Sequence, residues 1–441
     1  MRTTKLILSL FLLGTLIVGT AGIGLAQTTV TVAYWPGPES EAMQKVVDWW
    51  NANRAQETGI QVRLLTFSRQ DFFTRQLVAL AAGSTEFDIA FTTTYIVGET
   101  APYLEPLDEY FASSATGDLS VYIPSTLESL TFDGRLYGIP TDVSNHFLYY
   151  RTDLIDELLS NQAWQERYAE ITERYLGKAL APRPPEEWTP EDYVGVSLFF
   201  TRRINPQSPT AYGTVLQLRN LIFNVMLWNN MLRAYGGQWI VDGEPALTSE
   251  AAQKALEAYM IIIRNGATPP DSLNYEFPEA NAAMGSGQVA TAIHWSAGYQ
   301  FLTDPNSYPL VYDKIAIAPV PGKVTWVHSL GLGLNAASPR KQEAFEFLAF
   351  LASEQAMQMY AENGGLPPVA SVLESLADRR PEFVSVAEHV DKYGYVESTR
   401  PETQAILQAL ADNLSAAWSG QVDPVAALEQ AQKDVVNILS R

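Results

Sequence analysis

The sequence contains no cysteine and only four histidines among its 441 residues. The lack of cysteine excludes disulfide bonds, thiolate metal sites, a cysteine nucleophile and a lipid attached to an N-terminal cysteine. The histidines lie far apart in the chain, without the short spacings typical of metal ligands; they are His146, His294, His328 and His389. We therefore expect no metal site and no cofactor.

Basic residues are also scarce. Lys and Arg together number 29, against 49 Asp and Glu, so the formal net charge is −20 at pH 7. A surface this acidic repels the phosphate backbone of nucleic acids and the anionic headgroups of lipids. We therefore expect no nucleic-acid partner.

A single long apolar run stands near the N-terminus, at residues 6–18. Arg2 and Lys5 precede this run, and small residues follow it up to Ala26. The run has about 13 residues, fewer than the roughly 20 that span a bilayer, and its flanks are those of a secretory signal peptide. We predict a signal peptide over residues 1–26, cleaved after about Ala26, and a periplasmic location for the mature protein.

Common catalytic signatures are missing from the sequence. It has no Gly-x-Ser-x-Gly nucleophile elbow, no phosphate-binding Gly-Lys-Ser/Thr loop and no His-Glu-x-x-His zinc motif. With 49 carboxylates, some acidic pair with glycosidase-like spacing could always be named, so such a pair carries no weight. We expect no catalytic residue.

Strand and helix patterns alternate through the first quarter of the chain. Residues 28–35 and 60–67 alternate apolar and polar side chains, and residues 87–91 form a short apolar run, so we predict three strands. Helical spacing begins at Glu39 and recurs over residues 72–80. This order predicts the start of a doubly wound α/β sheet, whose ligand binds beyond the carboxyl ends of the strands.

The later part of the chain continues in the same manner, without a fixed-period repeat that would indicate a solenoid. The patterns predict helices over residues 221–232, 250–264, 401–419 and 424–439, a helix starting at residues 338–339, and strands over residues 315–319 and 331–335. Asp423 and Pro424 form an N-cap and a first helical position.

Four separated stretches resemble a known family, in the family's order. They are residues 77–90 (LVALAAGSTEFDIA), 133–153 (DGRLYGIPTDVSNHFLYYRTD), 277–295 (FPEANAAMGSGQVATAIHW) and 331–348 (GLGLNAASPRKQEAFEFL). In these stretches the chain is similar to the extracellular (periplasmic) solute-binding proteins of family 1, the maltose-binding-protein-like group that serves ABC sugar importers. The last stretch is the most specific, because its turn, its helix start and the buried stripe of its helix all match the pattern of the family.

The resemblance implies two discontinuous, doubly wound α/β lobes joined by a hinge, as in type II periplasmic binding proteins. We place the N-lobe at residues 27–141 plus 327–366 and the C-lobe at residues 142–326 plus 367–441. The crossovers between the lobes should then lie near residues 139–144, 326–330 and 363–368.

A site for a neutral sugar needs flat aromatic faces for the C–H surface and fixed polar groups for the hydroxyls. Trp35 and Tyr95 follow predicted strands, and Trp295 follows an apolar run where the resemblance implies a stacking tryptophan. We predict that these three bind ligand, although Trp35 could instead cover a strand edge and Trp295 could belong to the core. The family often has charged ligand contacts near Tyr95, and the Thr-Thr-Thr-Tyr tract here departs from that pattern.

Five further candidates for ligand binding are Glu39, Asp142, Trp228, Trp326 and Gly365. Asp142 follows Gly-Ile-Pro at the predicted lobe boundary, and Trp326 and Gly365 lie at predicted crossovers. Glu39 could instead interact only with the dipole of its own helix, Asp142 could be a turn cap, and Trp228 could be a core residue.

The resemblance implies a periplasmic, substrate-binding component of an ABC transporter that is not an enzyme. It would capture a neutral mono- or oligosaccharide by hinge closure and deliver it, as a monomer, to the membrane subunits of the importer. One alternative is the same fold binding a polyol, a polyamine or an anion. The other is a secreted glycosidase.

Overall fold

The structure is a computed structural model, and it describes residues 27–68 and 71–441. The predicted signal peptide, residues 1–26, lies outside the described residues. Within the described part, no helix combines the length and the apolar character needed to cross a membrane.

The strands are named in chain order. They are β1 (Thr28–Ala33), β2 (Ile60–Leu65), β3 (Ile89–Thr93), β4 (Leu104–Glu105), β5 (Thr131–Phe132), β6 (Arg135–Leu136), β7 (Ile139–Val143), β8 (His146–Arg151), β9 (Tyr212–Val215), β10 (Ile240–Val241), β11 (Glu244–Pro245), β12 (Val289–Trp295), β13 (Ile315–Ala318), β14 (Thr325–Trp326), β15 (Ser329–Asn335) and β16 (Gly394–Tyr395).

The α-helices are named in the same way. They are α1 (Pro38–Asn53), α2 (Ala55–Thr58), α3 (Phe72–Ala81), α4 (Val97–Thr100), α5 (Asp108–Ala112), α6 (Pro124–Glu128), α7 (Thr152–Ser160), α8 (Gln162–Leu176), α9 (Pro190–Phe199), α10 (Ile222–Ala234), α11 (Glu250–Arg264), α12 (Phe277–Gly285), α13 (Gly298–Leu302), α14 (Lys341–Leu351), α15 (Glu354–Glu362), α16 (Ala370–Ser375), α17 (Glu382–Tyr393), α18 (Thr403–Trp418) and α19 (Pro424–Leu439). Short 3-10 helices span Ala101–Tyr103, Leu119–Val121, Pro185–Glu187 and Pro270–Asn274.

The first lobe is built on a six-stranded sheet in the order β2-β1-β3-β15-β4, with β7 also paired to β15. Strand β1 is parallel to β2 and β3, whereas β15 runs antiparallel to its three neighbours. Helices α1 and α14 pack together through the rings of Trp50, Phe347 and Phe350, and α1 also packs against β2. The short continuous apolar pattern of β3 fits its central position, where every one of its residues is buried.

The second lobe is built on a four-stranded sheet in the order β13-β8-β12-β9. Strand β8 is antiparallel to both neighbours, and β12 is parallel to β9. All seven residues of β12 are buried, because helices cover the sheet. Helices α18 and α19 pack against α10 and α11 in this lobe.

The chain passes between the sheets at short segments. It leaves the first sheet at the end of β7 and enters the second at the start of β8, with only residues 144 and 145 between them. It returns between β13 and β15, where β14 pairs with β16. Helix α17 contacts α6 of the first lobe as well as β13 and β14.

The predicted fold class is confirmed: two α/β lobes are each built from separated parts of the chain. The predicted helices over residues 250–264 and 424–439 coincide with α11 and α19, and Asp423 caps α19 by accepting from the backbone N–H groups of Val425 and Ala426. The predicted strands over residues 28–35 and 60–67 each end two residues later than β1 and β2. The helix predicted over residues 401–419 starts two residues before α18.

Candidate functional site

A cavity of about 740 Å³, part of it open to solvent, lies between the two lobes. Its walls are mostly aromatic, and both lobes contribute. The lining residues are Trp35, Pro38, Glu39, Phe73, Phe91, Tyr95, Ser144, Phe223, Glu276, Phe277, Trp295, Ala297, His328 and Leu330.

Trp35 forms the first-lobe wall just after β1. Its indole stacks on the ring of Phe73, with centroids 4.8 Å apart and planes 21° apart, and meets the edge of Phe72 at 5.4 Å. Both phenylalanines belong to the first turn of α3, which Gln76 ties to the backbone of Phe91 in β3. The wall is therefore held by a helix and a strand, and only 8% of Trp35 remains exposed.

Tyr95 follows β3 and joins the two walls. Its ring lies face to face with the imidazole of His328, with centroids 5.2 Å apart and planes 12° apart. It also meets Phe73 of the first lobe and Phe223 of the second edge-on, at 5.6 and 6.4 Å. The phenol is thus fixed where the lobes meet.

Trp295 is the last residue of β12 and forms the second-lobe wall. Strand pairing sets it opposite His146 of β8, and the two rings meet edge-on at 4.3 Å. The indole also packs edge-on against Phe223 at 6.4 Å and His328 at 5.8 Å. Phe277 at the start of α12 extends the wall by stacking on His294, with centroids 4.9 Å apart.

The charged side chains that line the cavity are acidic. Glu39 lies in the first turn of α1, where the helix dipole favours a carboxylate. Glu276 lies 3.8 Å from the guanidinium of Arg219. Among the described residues that line the cavity there is no Lys or Arg. The described lining therefore contains two carboxylates, which are able to accept hydrogen bonds from hydroxyl groups.

Three buried histidines lie in or next to the cavity. Burial lowers the pKa of His146 and His294 to about 3 and that of His328 to about 4. His146 Nδ1 lies 2.9 Å from the amide nitrogen of Asn230, and His294 Nδ1 lies 2.9 Å from that of Gln217. All three rings are therefore neutral at pH 7. Nowhere in the described part of the chain do three or more His, Asp or Glu side chains form a group that could hold a metal ion.

Four of the predicted site residues come together at this cavity: Trp35, Glu39, Tyr95 and Trp295. Two of them lie in the first lobe at the ends of strands β1 and β3, Glu39 begins the helix after β1, and Trp295 ends a strand of the second lobe. Their role in binding a ligand stays a prediction.

Asp142 lies away from the lining of the cavity. Its Oδ2 accepts hydrogen bonds from the Tyr360 hydroxyl at 2.8 Å and from the Leu366 backbone N–H at 2.9 Å. Burial, and then the nearby charge of Glu39, raise the pKa of Asp142 to about 8. The carboxyl therefore joins β7 to the segment after α15, and we remove it from the candidate site.

Trp228 and Trp326 are also removed from the candidate site, because both are fully buried in the core of the second lobe. Trp228 lies on α10, whose residues 224–232 are all buried. Trp326 meets the indole of Trp239 edge-on at 5.5 Å and stacks on Tyr395 at 6.5 Å. Neither indole lines the cavity.

Gly365 is the fourth candidate that lies elsewhere. A Cβ atom on this residue would come within 2.1 Å of the Tyr360 ring, so the missing side chain lets the backbone pass close to that ring. The glycine thus allows Tyr360 to reach Asp142, and it does not line the cavity.

Several residues that line the cavity were not predicted as site residues from the sequence: Phe73, Phe223, Glu276, Phe277 and His328. Phe277 starts one of the four stretches that carried the resemblance, and His328 lies in a predicted crossover, so both had a positional signal. Phe73 and Phe223 lie on helices whose other apolar residues pack in the core. No sequence signal distinguishes the residues of these helices that line the cavity from those that pack in the core.

Aromatic faces from both lobes and a few fixed polar groups suit a small ligand that is enclosed between the lobes. This geometry defines a two-lobed binding protein. Residues 50–390 match the family described as bacterial extracellular solute-binding protein. The chain belongs to this family.

Characterised relatives cover most of the chain at low identity. A mannitol-binding protein of Pseudomonas aeruginosa is 25% identical over 366 residues, which cover 77% of each chain. A lactose-binding protein of Rhizobium radiobacter is 25% identical over 341 residues, covering 72% of this chain and 69% of the relative. Maltose-bound MalE3 of T. maritima has a similar fold, with a TM-score of 0.74 at 21% identity over 93% of this chain and 99% of that one.

Proposed function

We propose that this protein binds a neutral sugar or polyol between its two lobes and delivers it to an ABC importer. The observation that carries the proposal is the cavity between the lobes, whose aromatic walls include Trp35, Tyr95, Phe223 and Trp295. Aromatic faces pack against the C–H surface of a sugar, while carboxylates accept hydrogen bonds from its hydroxyls.

The described lining of the cavity favours an uncharged ligand over an anion. An anion needs basic or backbone N–H donors, whereas the charged side chains described in the lining are Glu39 and Glu276. A polyamine is the competing occupant, because two carboxylates and aromatic faces also suit a cation. The mannitol-binding and lactose-binding relatives support the uncharged ligand.

The mechanism follows from the division of the cavity between the lobes. A ligand that contacts Trp35 in one lobe and Phe223 in the other gains contacts only when the lobes are close together. It therefore shifts the population toward the closed form, as differential affinity requires. The closed form would be the one that the membrane subunits of the importer recognise.

We further propose that the protein is a periplasmic monomer without catalytic activity and that a signal peptide ends near Ala26. The lobes would be those predicted from the sequence, residues 27–141 plus 327–366 and residues 142–326 plus 367–441. We propose one change, a first boundary at Val143 in place of residue 141, and its support is the pairing of β7 with β15 up to that residue.

Thermal denaturation with a panel of small molecules tests the proposal. The panel is D-mannitol, lactose, maltose, spermidine and sulfate. A ligand present at about one hundred times its Kd raises the free energy of unfolding by roughly 2.7 kcal/mol. We expect at least one of the three neutral compounds to produce such an increase, and a shift with spermidine or sulfate alone would contradict the proposal.

A pair of variants locates the binding in the cavity. Phe223 lines the cavity and is only half-buried, whereas Tyr312 is 39% exposed and lies outside it. We expect Phe223→Ala to weaken binding of the active compound by roughly tenfold, because an aromatic face is lost. Tyr312→Ala should leave the affinity unchanged, and equal affinity of the two variants would place the binding elsewhere.

A further inference from the structure

His328 lies at the crossing between the lobes and on the wall of the cavity at once. It stands between β14 and β15, and its backbone carbonyl accepts a hydrogen bond from the Ser144 N–H at 2.9 Å, so it ties two of the crossing segments together. Its imidazole lies between the face of Tyr95 and the edge of Trp295. Only 4% of the residue is exposed, and it lines the cavity.

The hydrogen bonding of His328 differs from that of its neighbours. Neither of its ring nitrogens has a hydrogen-bond partner of good geometry within residues 27–68 and 71–441, although the Ser144 backbone lies close enough to the ring to favour its protonated form. His146 and His294 are just as buried, but each is held through Nδ1 by the side-chain amide of Asn230 or Gln217. Buried polar atoms without partners are unfavourable, and a ring that lines a cavity can gain its missing hydrogen bonds from a ligand bound there.

We propose that His328 is a specificity-determining residue, whose two ring nitrogens form hydrogen bonds with the hydroxyl groups of the bound ligand. The inference rests on the proposed function, since it needs a hydroxylated ligand in the cavity. A neutral imidazole carries one donor and one acceptor, and a hydroxyl group can serve either. Aromatic walls alone distinguish ligands by shape, whereas this ring distinguishes them by the positions of their hydroxyls.

The protonation of the ring is consistent with this role. Burial lowers the pKa of His328 to about 4, and the Ser144 backbone opposes the shift in part. The imidazole therefore stays neutral from pH 5 upward and keeps one donor and one acceptor. The ring planes of Tyr95 and His328, 12° apart, hold its edge in a fixed direction.

Three variants test the role of His328. His328→Phe keeps a flat ring against Tyr95 and Trp295 but removes both nitrogens, and His328→Gln keeps one donor and one acceptor on a flexible chain. His389→Phe is the matched control, because His389 is also buried, also packs on aromatic rings and also has an Nδ1 without a partner among the described residues. His389 does not line the cavity.

The measurement is calorimetric titration with the compound of the D-mannitol, lactose and maltose panel that binds the wild-type protein most tightly. We expect His328→Phe to bind it about tenfold more weakly or worse, as expected when hydrogen bonds to buried groups are lost. His328→Gln should bind with intermediate affinity, and His389→Phe should stay within twofold of the wild type.

A double-mutant cycle separates hydroxyl reading from packing. The monodeoxy derivatives of the same compound are titrated against wild type and His328→Phe. At least one derivative should lose affinity in the wild type and lose clearly less in the variant, because its missing hydroxyl is the one that His328 contacts. A purely structural role would give equal losses in both proteins.

The outcomes separate the two proposals. If none of the neutral compounds binds the wild-type protein, the proposed function fails and this inference fails with it. If a compound binds, but His328→Phe and His328→Gln bind it as tightly as the wild type, the proposed function stands and the inference is overturned. Additive losses in the double-mutant cycle overturn it as well.

Discussion

The carboxyl group of Asp142 connects two segments at the crossing between the lobes. It lies in β7 and accepts hydrogen bonds from Tyr360 and from the backbone of Leu366, which follows α15. Burial, together with the charge of Glu39, raises its pKa to about 8, although Arg380 opposes the shift in part. In an unfolded chain the same group titrates near 3.9.

This difference fixes the sign of a pH effect on stability. The folded protein holds a proton on Asp142 between about pH 4 and pH 8, where the unfolded chain has released it. The favourable contribution is therefore complete below about pH 4 and is lost as the pH rises through 8. Asp142→Asn has no proton to lose, and it keeps an acceptor for Tyr360 and Leu366.

We expect the stability of Asp142→Asn relative to wild type to increase by at least about 1 kcal/mol between pH 5 and pH 8. Urea denaturation of both proteins at pH 5, 6.5 and 8 measures the difference. Asp142→Ala serves as the control, because it leaves the Tyr360 hydroxyl without its acceptor and should be less stable than Asp142→Asn at every pH. Parallel pH profiles for wild type and Asp142→Asn would contradict the prediction.

The tryptophans differ in whether their place, at the cavity or in the core, could be predicted from the sequence. For Trp295 the prediction came from the family resemblance. The position of Trp35 at the cavity was predictable from the sequence pattern, because Trp35 follows a readable strand and strand ends lie toward the ligand region of an α/β sheet. Trp228 was not, because α10 packs against α11, α18 and β14 and is buried on nearly all sides. A helix without an exposed face carries no pattern that separates core from site.

At the scale of elements, Asp88 joins two segments that are distant in sequence. Its Oδ2 accepts from the Thr31 backbone at 2.8 Å, and its Oδ1 accepts from the Ser338 hydroxyl at 2.7 Å. The guanidinium of Arg340 completes the junction, with Nε 3.1 Å from Oδ1. This carboxylate thus fastens β1, the start of β3 and the turn before α14, and it links two of the stretches that resemble the family.

We expect Asp88→Asn to destabilise the protein by about 3 kcal/mol, because it leaves a partly buried guanidinium without its counter-charge. Urea denaturation at pH 7 measures the change. Glu250→Gln is the control: it breaks an exposed pair with Lys254, and exposed pairs contribute between about 0 and 1 kcal/mol. Similar small effects of the two substitutions would show that the junction is not structurally important.

The elements that could be predicted from the sequence are those whose start, end and buried face are encoded by neighbouring residues. Helix α19 has an N-cap, a proline at its first position and an apolar stripe, and its bounds follow from the sequence. The antiparallel insertion of β15 between β3 and β4 has no local cause, since both of these strands lie more than 200 residues away in the chain. The return of this segment to the first lobe was predicted from the family resemblance, and its antiparallel pairing was not predicted.

At the scale of the whole molecule, three buried and neutral histidines lie near the junction of the two lobes. His146 begins β8, His294 is in β12 and His328 lies in the crossing before β15. Burial lowers the pKa of all three, whereas an unfolded chain binds a proton on each near pH 6.5. Their contribution to stability is therefore present above pH 6.5 and lost as the pH falls toward 4 and 3.

His294→Gln isolates one part of this acid sensitivity. The wild-type protein has His294 Nδ1 facing Gln217 and Nε2 facing Asn281, and a glutamine amide offers an acceptor and a donor to the same partners. Each buried neutral histidine steepens the loss of stability by up to about 1.4 kcal/mol per pH unit between its two pKa values. Urea denaturation at pH 6.5, 5.5 and 4.5 should therefore show a shallower decline in the free energy of unfolding for His294→Gln than for wild type.

The opposite effect of Asp142 cancels in this comparison, because both proteins carry it. Equal slopes for the two proteins would mean that His294 is protonated in the folded state, in conflict with its burial.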